Sequence, residues 1–458
     1  MVMSAASSSS SSSSFFILYF FFFFFFFLLT APVLSRQSKH VKDSFSFSFP
    51  LTAVPIARTR RNFSASASLA AAGIGHPASR AVEKTPLKYS SVALTVSLPV
   101  GTPPQVQEMV LDTGSQLSWV KCHQQLSPRP PSTTFDPSLS SSFSAVPCNH
   151  PVCKPRVPDY TIPTTCDQNR LCHYSYFYAD GTLAEGNLVS ERLTFTGTSQ
   201  STPPLVLGCA TSTADDKGIL GLNLGRLSFP SQAKLSKFSY CVPARTAAGS
   251  VPAGPSPTGS FVLGANPNSA SFRYVSLMTF SHSQTKPNLD PLAYTVPMQG
   301  IRIGAKWLDI PPSAFTPDAG GSGQTMIDSG SELTYLVDEA YSKVKEEIVR
   351  LVGPKMKKGY SYSNGEVDMC FDQKTTAEVS RLIGGMAFVF RNGVEISVPN
   401  DRVLAKVERG VHCLAIGMSN MLGAASNIIG NFHQQSMWVE FDLVNRRVGL
   451  GKADCNRA

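Results

Sequence analysis

The sequence predicts an all-β protein made of two related lobes, and three observations support this fold class. The chain has 458 residues, which exceeds what one hydrophobic core usually organises. Only 16% of the residues are charged, whereas 33 are Gly and 33 are Pro, and short apolar runs alternate with turn residues. In addition, one eleven-residue pattern occurs twice. These features favour short strands in two lobes over a helical bundle.

The repeated pattern lies at residues 110–120 and 326–336. Both copies contain, in order, two apolar residues, Asp, Thr or Ser, Gly, Ser, a polar residue, Leu, a hydroxyl residue, an aromatic residue and an apolar residue. Two aliphatic residues and a Gly follow each copy roughly a hundred residues later, at 219–221 and 428–430. A motif that recurs together with its downstream partner indicates a duplicated structural unit.

The third position of each copy is an Asp, namely Asp112 and Asp328. The apolar pair before each Asp predicts the end of a buried strand, and Gly114 and Gly330 permit tight turns whose N–H groups point at the carboxylate. A single Asp-Thr-Gly or Asp-Ser-Gly is usually an ordinary turn. Two copies in matched apolar contexts instead predict a catalytic pair.

Two carboxylates that meet about a pseudo-two-fold axis cannot both ionise, so they share one proton over an acidic range, an effect for which aspartic proteases are the standard example. The ionised member can take a proton from water, which attacks a peptide carbonyl, while the protonated member donates to the carbonyl oxygen. The sequence leaves open which Asp starts as the acid, because such a pair titrates as a unit.

In these motifs the chain resembles the pepsin-like aspartic proteases, and most closely the plant group typified by nepenthesin. The resemblance runs from about Tyr89 to Cys455, and it is carried by the two Asp turns and by segments 101–105, 176–182, 218–222, 238–241 and 428–432. It implies a bilobal pepsin-like fold with two pseudo-two-fold related β lobes and a few short helices. It also implies a monomeric aspartic-type endopeptidase, without cofactor or metal, that cleaves polypeptides at apolar positions and at acid pH.

The resemblance further implies a β-hairpin flap that closes over the substrate and carries a Tyr near its tip. Tyr178 occupies the matching position, and Asp180–Gly181 is a turn signal flanked by the Tyr residues 174, 176 and 178 on one side of the hairpin and by segment 188–195 on the other. Trp119 lies where the family's Trp hydrogen-bonds the flap Tyr hydroxyl. The alternatives are an ordinary strand aromatic at Tyr178 and a core residue at Trp119.

The two Ser residues that follow the Asp turns complete the implied site. Ser115 and Ser331 are expected to hydrogen-bond the outer carboxylate oxygens, although either hydroxyl could instead cap its own turn. The substrate-binding residues implied in this way are Gly114, Ser115, Trp119, Tyr178, Asp180, Gly181, Gly330 and Ser331.

All ten Cys residues follow the N-terminal leader, and their even number favours five disulfides. A zinc site is the alternative for the cluster 148–172, which also holds His150 and His173, but this cluster contains no Cys-x2-Cys pair. The resemblance implies the pairs Cys122 with Cys209, Cys148 with Cys172, Cys153 with Cys166, Cys241 with Cys455, and Cys370 with Cys413.

The N-terminal leader is expected to lie outside the folded enzyme. Residues 1–35 predict a signal peptide, because the apolar run 15–29 is shorter than the roughly 20 residues that span a bilayer. No Lys or Arg precedes that run, so an uncleaved membrane anchor is the alternative, although no stable membrane span is expected. Residues 36–84 predict a basic pro-segment. The predicted destination is the secretory pathway, with the endoplasmic reticulum, a vacuole and the cell exterior left open.

Most of the positive charge also belongs to the leader. The formal net charge is +9, and residues 36–88 hold nine Lys or Arg against two acidic residues. The remainder of the chain is therefore nearly neutral, which disfavours a nucleic-acid partner. A basic pro-segment suits an acidic active site that must stay closed until activation.

The predicted lobes are residues 85–250, with the first Asp and the flap, and residues 251–458, with the second Asp. Segment 244–260 is rich in Ala, Gly, Pro and Ser and predicts the connector. One helix is predicted at 338–352, with an apolar face formed by Ala340, Tyr341, Val344, Ile348, Leu351 and Val352. The rival function is a non-catalytic pepsin-fold binding or inhibitor protein, which loss of either Asp would indicate.

Overall fold

A computed structural model of the chain describes residues 47–60, 87–123, 133–153, 163–195, 200–245, 258–281, 286–363 and 365–457. These residues lie within one compact unit that spans Asp43–Ala458. The predicted signal peptide, much of the predicted pro-segment and residues 246–257 of the predicted connector lie outside the described residues.

The described part of the first half of the chain forms short strands and one helical turn. Its strands are β1 Phe47–Arg60, β2 Leu87–Val100, β3 Gln105–Asp112, β4 Trp119–Lys121, β5 Ser144–Ala145, β6 Thr164–Cys166, β7 Cys172–Phe177, β8 Leu183–Glu191, β9 Leu205–Thr213, β10 Gly218–Gly221 and β11 Lys237–Cys241. The helical turn, α1, spans Phe229–Gln232.

The described part of the second half is also mainly β-structure, with two further helices. Its strands are β12 Thr258–Leu263, β13 Arg273–Ser276, β14 Met298–Ile303, β15 Lys306–Trp307, β16 Thr325–Ile327, β17 Thr334–Leu336, β18 Cys370–Asp372, β19 Met386–Phe390, β20 Glu395–Val398, β21 Leu404–Glu408, β22 Val411–Leu414, β23 Ile416–Met418, β24 Asn427–Ile429, β25 Met437–Asp442 and β26 Arg447–Lys452. The helices are α2 Asp338–Val352 and α3 Thr376–Ile383.

One large sheet runs through the molecule and joins strands from both lobes. Its order is β13-β26-β25-β11-β12-β1-β2-β3-β10-β4-β9-β8-β7-β6, with β5 paired to β8. Three smaller sheets, β15-β14-β19-β20, β16-β24-β17-β23 and β18-β22-β21, belong to the second lobe. The all-β prediction is confirmed.

The duplication predicted from the sequence is visible in the strand pairing. In the first lobe β3 runs parallel to β10, and in the second lobe β16 runs parallel to β24. On its other side β10 pairs antiparallel with β4, and β24 pairs antiparallel with β17 in the same way. Each Asp therefore stands at the end of a strand that a neighbouring parallel strand holds in register.

Strand β1 lies inside the predicted pro-segment but belongs to the central sheet. It pairs antiparallel with β12 on one side and with β2 on the other. Leu51 and Ala53 are fully buried on one face, because alternate side chains of a strand point to the same face, and Ile56 is buried on the other. The predicted boundaries 36–84 do not anticipate this strand.

Helix α2 has the predicted bounds. Ala340, Tyr341, Val344, Ile348 and Val352 are buried, while Leu351 is partly exposed. Asp338 and Glu339 occupy the first turn, where the helix dipole favours negative charge. The face also buries Glu347, which the apolar pattern does not predict, since Lys306 and Arg350 neutralise its carboxylate.

All ten Cys residues form disulfides, and two of the five expected pairs are wrong. Cys148 bonds to Cys166, and Cys153 bonds to Cys172. Burial explains the exchange: Cys153 and Cys172 belong to the apolar cluster around Trp119, whereas Cys148 and Cys166 lie outside it. The other pairs are as expected: Cys122 with Cys209, Cys241 with Cys455, and Cys370 with Cys413. These bonds leave none of the four clustered thiols for zinc.

The longest helix among the described residues is α2, with 15 residues. In this part of the chain, none is both long enough and apolar enough to cross a membrane.

Candidate active site

The two Asp residues occupy equivalent places at the ends of buried strands. Asp112 is the last residue of β3, and Asp328 directly follows β16. The neighbouring parallel strands hold both backbones: Leu222 N donates to Asp112 O at 2.9 Å, and Asp328 N donates to Ile429 O at 3.0 Å. The side chains are 7% and 8% exposed, so each carboxylate reaches solvent only through the site.

Each Asp turn presents a Gly to the carboxylate of the other lobe. The N–H groups of Gly114 and Gly330 donate to Oδ1 of their own Asp, at 2.9 and 3.0 Å. A Cβ atom on Gly330 would lie 2.2 Å from Asp112 Oδ1, and one on Gly114 would lie 3.0 Å from Asp328 Oδ1. The two carboxylates therefore face each other across backbone that has room for no side chain.

A reciprocal set of hydrogen bonds joins the two turns. Thr113 N donates to Ser329 Oγ at 3.1 Å, and Ser329 N donates to Thr113 Oγ1 at 2.9 Å. The hydroxyls donate onward to the carbonyls that precede the opposite Asp, Ser329 Oγ to Leu111 O and Thr113 Oγ1 to Ile327 O. The sequence analysis missed this pair. The sequence feature that could have indicated it is the hydroxyl residue at the same position in both copies, Thr113 in one and Ser329 in the other.

The two Ser residues after the turns differ in their side-chain contacts. Ser331 Oγ donates to Asp328 Oδ2 at 2.6 Å, and Ser331 N donates to the same oxygen at 3.0 Å. Ser115 Oγ is buried without a hydrogen-bond partner among the described residues, so the contact expected with Asp112 is absent. The backbones remain equivalent, since Ser115 O accepts from Asn223 N and Ser331 O from Asn431 N. The two copies therefore differ here in the side-chain contact of one hydroxyl.

The flap hairpin is present, with its Tyr bonded as the resemblance implied. Trp119 Nε1 donates to the Tyr178 hydroxyl at 2.7 Å. Burial raises the pKa of Tyr178 well above its usual range, and the nearby Tyr176 and Asp112 add to the shift. The hydroxyl therefore keeps its proton at any working pH and can donate a hydrogen bond.

A tight turn closes the tip of the flap. Tyr178 N donates to Thr182 O, and Gly181 N donates to Tyr178 O, both at 2.9 Å. Gly181 has a φ of +84°, which L side chains rarely adopt, and Asp180 Oδ1 accepts from Thr182 N at 2.9 Å. Because this turn ends at Thr182, the return strand β8 begins at Leu183. The sequence analysis placed that strand at 188–195, which is wrong at its start.

A cavity of about 230 Å³ lies in front of the two Asp residues, between the flap and the second lobe. Most predicted site residues line it, but Trp119 and Gly181 do not; they act from behind, on Tyr178 and on the turn at the tip. The apolar part of the lining is Val110, Phe177, Ile219, Leu333 and Leu422. The sequence analysis placed all but Leu422 in its motif segments but gave none of the five a role in the cavity, because that role depends on long-range packing.

This combination of fold and site defines a class. A bilobal β-protein in which two Asp-x-Gly turns face each other beneath a Tyr-bearing hairpin is a pepsin-like aspartic protease. Residues 95–254 match the family model described as xylanase inhibitor N-terminal, and residues 293–452 match the model described as xylanase inhibitor C-terminal.

Curated proteins with similar sequences include plant aspartic proteinases. The aspartic proteinase PCS1 of Arabidopsis thaliana is 35% identical over 80% of this chain and 83% of its own length. Aspartic proteinase nepenthesin-1 of Nepenthes gracilis is 32% identical over 79% of this chain and 77% of its own. The chain belongs to this family of plant pepsin-like aspartic proteinases and is assigned to the aspartic-type endopeptidases.

Solved structures share the fold at low identity. Basic 7S globulin from soybean is 17% identical with a TM-score of 0.55, covering 89% of this chain and 97% of its own. Conglutin gamma from lupine seeds is 16% identical with a TM-score of 0.56, covering 88% of this chain and 95% of its own. At these identities the likeness concerns the fold alone.

Proposed function

We propose that this endopeptidase cleaves extended polypeptides with a water molecule activated between Asp112 and Asp328. The observation that carries the proposal is the close approach of each Gly to the opposite carboxylate, a Cβ on Gly330 falling 2.2 Å from Asp112 Oδ1. Two carboxylates that the facing turns bring to the same cavity can share a proton and act as acid and base at once.

The proposed reaction needs no covalent enzyme intermediate. The ionised carboxylate takes a proton from water while the water oxygen attacks the peptide carbonyl carbon, and the protonated carboxyl gives its proton to the carbonyl oxygen. The tetrahedral intermediate then collapses: the C–N bond breaks, the amine nitrogen takes up a proton, and the diol oxygen returns its proton to the pair. The products are a carboxylic acid and an amine.

The turns and the flap supply the positions that this reaction requires. Backbone N–H groups of Gly114, Gly330 and Ser331 bond the carboxylate oxygens, so the carboxylates need not reorganise during the reaction. Tyr178 lines the cavity with a hydroxyl that is oriented by Trp119 and free to donate its own proton toward a bound peptide. Asp180 and Gly181 set the shape of the tip above the substrate.

The lining of the cavity supports a preference for apolar residues at the cleaved bond. Val110 and Ile219 belong to the first lobe, Leu333 and Leu422 to the second, and Phe177 to the flap. Apolar side chains of a substrate would lose water on both sides of the cut bond, which stabilises the complex. An extended peptide would lie in the cleft between flap and second lobe.

The pH range, processing and destination are further parts of the proposal. The shared proton calls for an acid pH optimum. Residues 1–35 would direct the chain into the secretory pathway, where its disulfides form, and the basic segment 36–84 would be the pro-segment of a zymogen. The active form would be a monomer, because each chain contributes both Asp residues.

A second candidate is a non-catalytic binding or inhibitor protein. The descriptions of the matching family models and the fold shared with 7S globulins favour it. The presence of both Asp turns with their reciprocal Thr113 and Ser329 bonds opposes it, because a binding protein has no need of this pair.

Cleavage of an unfolded protein by the processed chain separates the two candidates. Purified protein is incubated with reduced, alkylated casein across an acid-to-neutral pH series, with and without a pepstatin-type inhibitor, and the cut sites are mapped. The proposal expects cuts next to apolar residues that peak at acid pH and disappear with inhibitor. Inhibitor-resistant cleavage would assign activity to other residues, and no cleavage at any pH would favour the binding protein.

A further inference from the structure

An ion pair between a buried Arg and a partly exposed Glu that lines the cavity lies next to the second Asp turn. Arg245, in the segment that leaves β11, donates from Nη1 to Glu332 Oε1 at 2.6 Å. Its side chain is only 1% exposed. Glu332 immediately follows Ser331, so this pair holds the chain at the point where the catalytic turn ends. A guanidinium buried to this extent is costly unless its partners are held in good geometry.

The same guanidinium also holds a second residue that supports the turn. Arg245 Nη2 donates to Asn431 Oδ1 at 2.6 Å. Asn431 in turn donates from Nδ2 to Ser329 O at 3.0 Å and from its backbone N to Ser331 O at 2.8 Å. Arg245 is thus bonded to Asn431, which fixes the backbone on both sides of Gly330, and to Glu332, which follows the turn.

Glu332 extends the contact to the first lobe. Its second oxygen, Oε2, accepts a hydrogen bond from Val92 N in strand β2 at 2.9 Å. One carboxylate therefore links the turn that carries Asp328 to a strand of the lobe that carries Asp112. This bond adds to the Thr113 and Ser329 bonds that join the two lobes at the site.

The first lobe has no such charge at the equivalent position. Gln116 stands where Glu332 stands in the repeat, and its Oε1 accepts from Leu227 N at 3.1 Å within the same lobe. The backbone supports are otherwise alike, since Asn223 N bonds Ser115 O as Asn431 N bonds Ser331 O. The ion pair is an addition to the duplicated plan, placed on the side that must be aligned with the other lobe.

We propose that Arg245 is a positioning residue for the reaction, acting through Glu332 and Asn431 to set the Asp328 carboxylate against Asp112. The inference rests on the proposed function and deepens it. A displacement of about 1 Å at a catalytic group can lower a rate about 100-fold. A buried ion pair can often be replaced by apolar residues without loss of stability. If the pair positions the turn, replacing both residues by apolar ones should therefore lower the rate of hydrolysis but leave the stability of the fold nearly unchanged.

The test uses steady-state kinetics and thermal unfolding of the processed enzyme on an apolar peptide substrate. Arg245→Met alone leaves Glu332 unpaired and lowers both Tm and kcat. The double variant Arg245→Met with Glu332→Met recovers the wild-type Tm to within a few degrees, yet its kcat stays about tenfold or more below wild type with KM within about twofold. The control Glu347→Gln weakens a different ion pair, that of the buried Glu347 of α2 with Lys306 and Arg350, and lowers Tm without lowering kcat.

Two further variants keep the proposal falsifiable if the double variant does not fold. Glu332→Gln conserves size but has one acceptor for two donors, and its kcat falls while its far-ultraviolet spectrum stays that of wild type. Arg245→Lys, which keeps the charge, recovers part of the kcat lost in Arg245→Met. Wild-type kcat in the double variant or in Glu332→Gln, or an equal loss in Glu347→Gln, would overturn the proposal. An inactive wild-type enzyme would instead reject the proposed function itself.

Discussion

The indole of Trp119 and the hydroxyl of Tyr178 are joined by a 2.7 Å hydrogen bond that ties the flap to the body of the first lobe. Trp119 is fully buried in β4, whereas Tyr178 lines the cavity. The bond holds the Tyr178 side chain against a rigid core residue. Because the hydroxyl oxygen accepts from Trp119, its one proton points away from the indole and toward the cavity.

Removal of the indole N–H is expected to weaken catalysis more than folding. In Trp119→Phe the flap Tyr loses its donor, so kcat/KM falls about tenfold, while the free energy of unfolding falls by about 1 kcal/mol apart from the packing change. Peptide hydrolysis and chemical denaturation measure the two effects. Tyr274→Phe, a matched loss of one hydrogen bond, to Glu440, at the edge of the large sheet, should leave kcat/KM near wild type. An equal loss in both variants would contradict the assigned role.

The reciprocal bonds between the turns give a second prediction. Ser329→Ala removes the acceptor of Thr113 N and the donor to Leu111 O, both buried, so the free energy of unfolding should fall by about 2–4 kcal/mol. Ser329→Thr restores the residue found in the other copy and should retain most of the stability. Urea denaturation followed by fluorescence measures both. A neutral effect of Ser329→Ala would mean that these bonds contribute nothing net.

Gly330 is expected to tolerate no side chain. A Cβ there would lie 2.2 Å from Asp112 Oδ1, so Gly330→Ala must displace either the turn or the carboxylate, and kcat should fall by about 100-fold or more. Gly320→Ala is the control, since its Cβ would meet only side-chain atoms at 3.3 and 3.7 Å. Peptide hydrolysis by the two variants checks the prediction. Full activity in Gly330→Ala would show that the turns lie farther apart.

His433 predicts how stability varies with pH. The ring lies behind the second Asp turn and bonds Thr334 Oγ1 through Nδ1 at 2.7 Å, and burial, aided by the positive charge of Arg245, lowers the pKa of His433 from 6.5 to about 3. Between pH 6.5, the pKa of His in an unfolded chain, and about pH 3, the pKa of His433 in the folded chain, only the unfolded chain binds this proton. The stabilising contribution is therefore complete above pH 6.5 and is lost progressively as the pH falls toward about 3.

Denaturation of His433→Gln at several pH values measures this effect. Wild type should lose on the order of a few kcal/mol between neutral pH and about pH 3, and the variant should lose less over that range. His150→Gln, at an exposed site, serves as control and should follow wild type. Identical pH dependence in wild type and His433→Gln would contradict the assignment.

Strand β1 gives a prediction about the unprocessed chain. A chain that begins at residue 47 keeps Leu51 and Ala53 in the core, whereas one that begins at residue 61 lacks the strand between β2 and β12. Loss of this strand removes buried apolar contacts, so the shorter chain should still unfold cooperatively, as expected of the processed enzyme, but at a lower Tm. Equal Tm values for the two chains would show that β1 is dispensable.

The sequence was informative wherever a local pattern decides the structure. The two Asp turns, the flap turn at Asp180–Gly181 and helix α2 follow from residues a few positions apart, and all are present as predicted. The start of β8 was misplaced because Thr182 already closes the turn through Asp180.

Contacts between distant segments could not be read from the chain. The Cys148–Cys166 and Cys153–Cys172 bonds depend on which side chains enter the apolar cluster around Trp119, and that depends on the packed fold. The link from Arg245 through Glu332 to Val92 joins three segments with no local motif. Strand β1 was hidden by its position within a basic, Ser-rich leader.

The pairing of the two carboxylates is the central claim, and the cleavage rate of Asn variants tests it most directly. Asp112→Asn and Asp328→Asn keep the shape of each side chain but cannot share the proton, so each should fold with a Tm close to wild type and lose peptide hydrolysis at acid pH by about 1,000-fold or more. A variant that keeps substantial, pepstatin-sensitive hydrolysis would show that the reaction does not depend on both residues.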